Sequence, residues 1–237
     1  MIFTVLKLLN SKNYILKKSK SIQNLLKIQK NNKIAIVGSS SKLLKKNYGK
    51  KIDSHDVIIR FNRAPTKGFE KYVGSKTTLR FLNQHTFQGI PYGKYVKKEE
   101  AKFVKKLKYK NICTIVEDNL SKIKRNKHQY TNKTNKILFL ENKLNHFLRY
   151  AIISNLNFFK KFYYFKYKPN FTTGMFAVAL MLIFKQKVNV YGFDKEKKNN
   201  NYGQYWKKTE INTVHDYEDE SKIIKMLINQ NKINFFD

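Results

Sequence analysis

The sequence predicts an α/β domain with a mostly parallel central sheet flanked by helices. Three observations lead there. Short apolar runs of strand length recur from Lys33 to Phe236. Segments with helical spacing separate several of them, as crossover connections between parallel strands require. A chain of 237 residues, 41% of them hydrophobic, is also long enough to bury a core on both faces of a sheet.

The elements follow in order. Residues 1–30 place Ile2, Phe3, Val5, Leu6, Leu8 and Leu9, then Ile22, Leu25 and Leu26, among many lysines. This is a basic amphipathic helical segment, suited either to an anionic membrane surface or to packing on the domain that occupies 31–237. Lys33–Val37 reads as a buried strand running into Gly38-Ser39-Ser40-Ser41. Asp56–Phe61 is a second strand, ended by the turn formers Asn62-Arg63-Ala64-Pro65. Thr78–Leu82, Asn111–Val116 and Ile137–Leu140 continue the sheet, with a helix over Lys97–Lys108 and a polar loop over Asp118–Lys136. Leu144–Phe165 is aromatic and basic, helical in its first part. Thr172-Thr173-Gly174 opens an apolar helix, Met175–Lys185, and Val188–Phe193 is a strand before the charged loop Asp194–Tyr202. Asp216–Gln230 sets Ile223, Ile224, Leu227 and Ile228 on one helical face, and Ile233–Phe236 closes as a strand.

Composition excludes several classes. The aromatic content of 14% is foreign to a disordered tail or a collagen-like repeat. One cysteine, Cys113, can form neither an internal disulfide nor a cysteine zinc site. The longest apolar run, Met175–Phe184, falls short of the ~18–20 residues of a spanning helix, and the N-terminus lacks the cleavage site of a secretory signal. The net charge of +33 favours anionic partners, yet 44 of the 49 basic residues are Lys and only 5 are Arg. Arg is the better fork for phosphates and base edges. The lysines are spread evenly and accompany 26 asparagines, the residue bias of an A/T-rich coding sequence. A solvated basic surface is the favoured reading, and nucleic acid is not the expected partner.

Two segments have the physics of an anion cradle. Gly38-Ser39-Ser40 is a small-residue turn after a strand, where N–H groups and hydroxyls can converge on a ligand, although it is neither G-x-G-x-x-G nor a P-loop. Thr172-Thr173-Gly174 offers the unpaired N–H groups and favourable dipole of a helix start. Either could equally be a plain helix cap. His215 stands just ahead of the last helix, close to Asp216 and Glu220, and an imidazole titrating near ~6.5 is the natural general base around neutrality.

Together these segments resemble the eukaryotic-type sialyltransferases, glycosyltransferase family 29, with their large, small, third and very-small motifs. The large motif is matched by Ile34-Ala35-Ile36-Val37-Gly38-Ser39-Ser40, by Ile52-Asp53-Ser54-His55-Asp56 and by Arg60-Phe61-Asn62-Arg63-Ala64-Pro65-Thr66. It continues in Gly68-Phe69-Glu70, Val73-Gly74-Ser75-Lys76-Thr77-Thr78 and Leu82-Asn83. The small motif runs from Pro169 through Thr172-Thr173-Gly174-Met175 to Val188–Phe193; the third is Gln204-Tyr205-Trp206; the very-small motif is His215 with Glu220.

The resemblance implies a GT-A-like, Rossmann-type single domain that takes CMP-sialic acid as donor and needs no metal or other cofactor. Carried over by position, Ser39, Asn62 and Asn83 would contact the CMP moiety, and Thr172, Thr173 and Gly174 would hold donor phosphate or carboxylate. Gly38, Ser40 and Gly192 would also be donor-binding, Gln204 and Tyr205 would close over the donor, and His215 would be the base. The acceptor would be the hydroxyl of a glycan, glycolipid or glycoprotein. Three departures stand out. Gln204 replaces the histidine that often begins the third motif and brings no charge. Ile34 and Lys185 hold the positions of the disulfide cysteines of animal members, and a Golgi-type anchor is not seen, which suits a cytoplasmic bacterial or viral relative. Ser39, Arg60-Phe61-Asn62 and Asn83 look like the α2,6 branch, whereas Val188–Phe193 and His215–Glu220 look like the α2,3 group. A CMP-Kdo-dependent Kdo transferase and a degenerate nucleotide- or polyanion-binding protein are the competing expectations.

Overall fold

The computed structural model describes residues 24, 28–29, 31–88, 111–116, 136–141, 171–183, 187–194, 203–206, 215 and 217–236. The expected helices Lys97–Lys108 and Leu144–Phe165, the loop 118–135 and nearly all of the segment 1–30 lie outside them.

Seven strands form one sheet in the order β5-β4-β3-β2-β1-β6-β7. They are β1 (Ile34–Val37), β2 (Val57–Phe61), β3 (Leu79–Leu82), β4 (Asn111–Val116), β5 (Lys136–Glu141), β6 (Val188–Tyr191) and β7 (Ile233–Phe236). Every pairing is parallel. Parallel strands need covered faces, so β1, β2 and β3 are buried at every position instead of alternating. The order runs outward from β1 in both directions, and β1 lies between β2 and β6. Chain connections therefore leave the carboxyl ends of β1 and β6 toward opposite sides, which opens a crevice there.

Two cores cover the faces. Ile34, Ile36, Val57, Ile59, Leu79 and Phe81 point to one face, against α4 (Thr173–Ile183) and α5 (Tyr217–Asn229). Ala35, Val37 and Ile58 point to the other, against the 3-10 turn Ser41–Lys45, α1 (Gly49–Asp53) and α2 (Glu70–Val73). The period-2 alternation of β1 thus feeds both layers. Burial explains the composition of α4, where every residue from Gly174 to Met181 is buried; α5 buries Ile223, Ile224 and Leu227 and keeps Glu218 and Lys222 outside as a 2.8 Å pair. Ile28, from the end of the basic segment, packs on the first core. The short helices α1, α2 and α3 (Gln84–Gln88) were not expected, because four or five residues carry no readable helical period.

Polar groups inside this frame hold its turns. Arg60 on β2 donates from Nε to Lys76 O at 3.0 Å and to Thr77 Oγ1 at 3.1 Å, and from Nη2 to Val73 O at 2.6 Å. His55 bridges layers. Its Nδ1 faces two carbonyls, Lys51 O at 2.8 Å and Ile52 O at 3.0 Å, so that nitrogen carries the proton and Nε2 accepts from Asn189 Nδ2 at 2.6 Å. Asn189 Oδ1 in turn accepts from Asn234 at 2.7 Å, tying α1 to β6 and β7. Tyr191 stacks on Phe236 at 4.6 Å, and burial together with neighbouring Tyr48 pushes its hydroxyl up to about 12.

Asp53 is the clamp between α1 and the loop after α2. Its carboxylate accepts from Ser75 N at 2.8 Å, Ser75 Oγ at 2.9 Å and Lys76 N at 3.0 Å. Partial burial pushes its pKa up, but these hydrogen bonds and the Arg60 charge outweigh it, leaving the carboxyl below its ordinary 3.8. A depressed carboxylate stabilises the fold above its unfolded value of about 3.9 and loses that contribution as pH falls through the folded value. Asp53→Ala is expected to cost about 1–3 kcal/mol at pH 7 and to flatten the stability profile below about pH 4. Urea titrations of both proteins from pH 7 to pH 3 check this; parallel profiles would remove the clamp.

Candidate active site

The crevice is built from glycines that let three chain segments touch. A Cβ at Gly38 would lie 2.3 Å from Gly192 O and 2.8 Å from the Phe193 ring. A Cβ at Gly174 would lie 2.9 Å from that same ring. Phe193 also packs edge-on to Phe61, at the end of β2, with centroids 6.2 Å apart. The two predicted cradles, 136 residues apart in number, therefore flank one aromatic side chain. Gly192 has φ +65, and its carbonyl accepts from Ser40 N at 3.1 Å.

Gln204 and Tyr205 lie against the first cradle. Ser40 and Gln204 form an antiparallel bridge, flanked by Ser41 N to Gly203 O at 2.8 Å and Tyr205 N to Ser39 O at 3.0 Å. Tyr205 itself is buried, and its hydroxyl donates to Pro65 O. It fastens the third motif to the turn after β2.

His215 lies two residues ahead of α5, and that helix is tied to the start of α4. Glu220, one turn into that helix, accepts from both Thr172 N and Thr172 Oγ1, the latter at 3.0 Å. Thr172 Oγ1 also accepts from Met175 N at 3.4 Å, which makes Thr172 the N-cap of α4. The start of α5, the helix that follows His215, is thereby bonded to the start of α4. His215 O accepts from Tyr217 N at 3.0 Å, and the two rings meet edge-on at 5.8 Å.

The hydrogen bonds sort the predicted ligand contacts into committed and available groups. Thr172 spends its N–H and hydroxyl on Glu220. Ser40 Oγ donates to Asp194 Oδ1 at 3.2 Å. Asn62, at φ +40, accepts from Asn83 N at 2.9 Å through Oδ1, and Asn83 Oδ1 accepts from Thr86 N at 2.8 Å. Each amide must present oxygen to a backbone N–H, so each turns its Nδ2 donor the other way. Among the described residues these Nδ2 groups, Ser39 Oγ and the N–H groups of Thr173 and Gly174 have no protein partner. Available hydrogen-bond donors of this kind suit an anionic, oxygen-rich ligand. Among the described residues there is no cluster of three metal-ligating side chains.

Sequence reasoning passed over two supports. Arg80 is fully buried on β3, and its Nη1 donates to Asn62 O at 2.8 Å and Ala64 O at 2.9 Å, fixing the backbone of the turn that carries Asn62. The signal was present: a charge inside the apolar run Leu79–Leu82 demands buried acceptors. Asp194 stood in the sequence only as part of a charged loop. Its O accepts from Ser221 Oγ at 3.1 Å, so it links α5 to the first cradle.

A parallel α/β sheet with a donor-lined crevice at the reversal of strand order is the class that fold and site define. The comparisons narrow it: a model of glycosyltransferase family 29 (sialyltransferase) matches residues 3–232, and the chain belongs to that family. It is 29% identical over 212 residues to the CMP-N-acetylneuraminate-β-galactosamide-α-2,3-sialyltransferase 1 of Sus scrofa, covering 85% of this chain and 57% of that protein. Against the α-2,3-sialyltransferase 2 of Mus musculus it is 31% identical over 221 residues, covering 85% and 56%. The β-galactoside α-2,6-sialyltransferase 2 of Homo sapiens is 53% identical over 49 residues, 21% of this chain and 9% of that protein. The chain spans little more than half the length of the curated α-2,3 relatives. A crystal structure of a mammalian sialyltransferase superposes with TM-score 0.56 at 26% identity, over 86% of this chain and 68% of that one. No helix among the described residues is long and apolar enough to cross a membrane.

Proposed function

We propose that this chain transfers sialic acid from CMP-sialic acid to a glycan hydroxyl, with inversion and without a metal ion, on a GT-A-like, Rossmann-type sheet. The observation that carries the reading is the Glu220–Thr172 bond pair, which joins the helix after His215 to the helix start beside the Gly38–Gly192 contact. In this reading Ser39, Asn62 and Asn83 meet the cytidine and ribose oxygens, and the free N–H groups of Thr173 and Gly174 meet the donor's phosphate or carboxylate. The acceptor oxygen attacks the anomeric carbon while the bond to the CMP phosphate breaks. His215 takes the hydroxyl proton, and CMP leaves with the bonding electron pair. Hydrogen-bond donors aimed at the departing phosphate supply the charge stabilisation that a metal provides elsewhere.

CMP-Kdo offers a similar carboxylate and ketosidic phosphate, but the relatives' names, built on CMP-N-acetylneuraminate, support sialic acid. Acceptor and linkage follow from a pool of galactose-terminated glycans, glycolipids and glycoproteins. CMP release from CMP-sialic acid in that pool is expected to be unchanged by EDTA. Release that requires a divalent ion, or that occurs with CMP-Kdo alone, would overturn this assignment. CMP binding without turnover would leave a degenerate binding protein instead.

A further inference from the structure

Two arginines lie side by side inside the sheet. Arg60 on β2 and Arg80 on β3 are register partners, so their side chains leave the same face, and they are 1% and 0% exposed. Buried like charges are costly, and each must be held by acceptors that the fold brings to it. Arg60 bonds the loop after α2. We propose that Arg80 is a positioning residue for the donor, holding Asn62 in the conformation that presents its Nδ2 to the nucleoside; the inference rests on the CMP-sugar reading above.

Arg80 Nη1 faces three carbonyls of one turn: Asn62 O at 2.8 Å, Ala64 O at 2.9 Å and Phe61 O at 3.4 Å. Asn62, among them, has φ +40, which is uncommon for a residue with a Cβ and persists only where the surroundings maintain it. Asn62 N donates to Phe81 O at 2.8 Å, and its Oδ1 accepts from Asn83 N at 2.9 Å, so backbone and amide are both tied to β3 and its end. Arg80 adds the restraint on the carbonyl. With N–H, carbonyl and Oδ1 all engaged, Nδ2 is the group of Asn62 left for a ligand. One strand thus acts twice on the nucleoside. Asn83 at its end meets the nucleoside directly, and Arg80, three residues earlier, acts by way of Asn62.

Cytidine is the probe, because it carries the groups assigned to Asn62 and Asn83 without the phosphate. Calorimetry on the full chain compares Arg80→Met and Arg80→Lys with Arg60→Met. Arg80→Met exchanges a buried charge for an apolar chain, a change that need not lower stability. It is expected to weaken cytidine about tenfold. Arg80→Lys keeps hydrogens for the carbonyls and should recover part of that loss. Arg60→Met removes the neighbouring buried charge, whose bonds go elsewhere, and should leave cytidine affinity unchanged whatever it does to the melting temperature. A double-mutant cycle then locates the effect. Asn62→Asp keeps the oxygen that accepts from Asn83 N and removes the Nδ2 donor, so in that background Arg80→Met should cost little more. Unchanged cytidine affinity in Arg80→Met, an equal loss in Arg60→Met, or full additivity with Asn62→Asp would each overturn the inference while the transferase reading stands. If the unaltered chain binds neither cytidine nor CMP, that reading fails and the inference with it.

Discussion

His215→Ala is expected to lower the rate of transfer by about 10²–10⁴-fold while CMP still binds. The separation arises from where the imidazole sits. His215 precedes α5, and that helix is docked through Glu220 on Thr172 and Ser221 on Asp194, bonds that the substitution leaves in place. The groups assigned to CMP belong to other elements: Ser39 after β1, Asn62 after β2, Asn83 after β3 and the start of α4. If His215 is the base proposed above, its removal stops proton transfer and leaves the groups assigned to CMP intact. Single-turnover CMP release, paired with calorimetric CMP binding, checks both halves. Wild-type turnover in the variant would dismiss His215 as the base, and loss of CMP binding would make it a donor contact.

Gly38→Ala is expected to be the most damaging small substitution in the crevice. The added methyl would stand 2.3 Å from Gly192 O, a backbone atom, and 2.8 Å from the Phe193 ring. Neither neighbour can yield cheaply. Gly192 O is the acceptor for Ser40 N at 3.1 Å, and Gly38 N donates to Tyr191 O at 2.7 Å, so the contact lies within the seam between β1 and β6. Forcing them apart costs about 1–3 kcal/mol as an overpacking strain. For a chain of this size each kcal/mol lowers the melting temperature by roughly 2–4 °C. The same displacement moves Ser39 and Ser40 away from the start of α4, so CMP affinity should fall along with stability. Gly68→Ala, where nothing lies within 4 Å of the new methyl, is the control for backbone strain at a positive φ without crowding. A Gly38→Ala protein with native melting and native CMP affinity would contradict the close packing of the two cradles.

The strands were legible because a parallel sheet buried on both faces leaves continuous apolar runs, and each of the seven read from the sequence is present within a few residues. The amphipathic face of Ile223, Ile224 and Leu227 was legible for the same reason: burial selects residue type. The polar and small residues of the two turns were readable in the sequence, but what their polar atoms bond to was not. Ser40, Thr172 and Tyr205 read as ligand contacts, yet their polar atoms meet Asp194, Glu220 and Pro65. Available groups such as Asn83 Nδ2 are defined only by which partner the other end of the amide finds.

Local chemistry in the chain thus determined the α/β class, the small-residue turns, the helix start at Thr172–Gly174 and the position of His215. Tertiary structure decided the strand order, the meeting of Gly38 and Gly174 on Phe193, and the buried work of Arg60, Arg80 and Asp194. Apolar periodicity is a property of neighbours in sequence, whereas a hydrogen bond such as Glu220–Thr172 joins residues 48 positions apart. A side chain's partner is set by which elements the sheet brings together, and no local pattern encodes that.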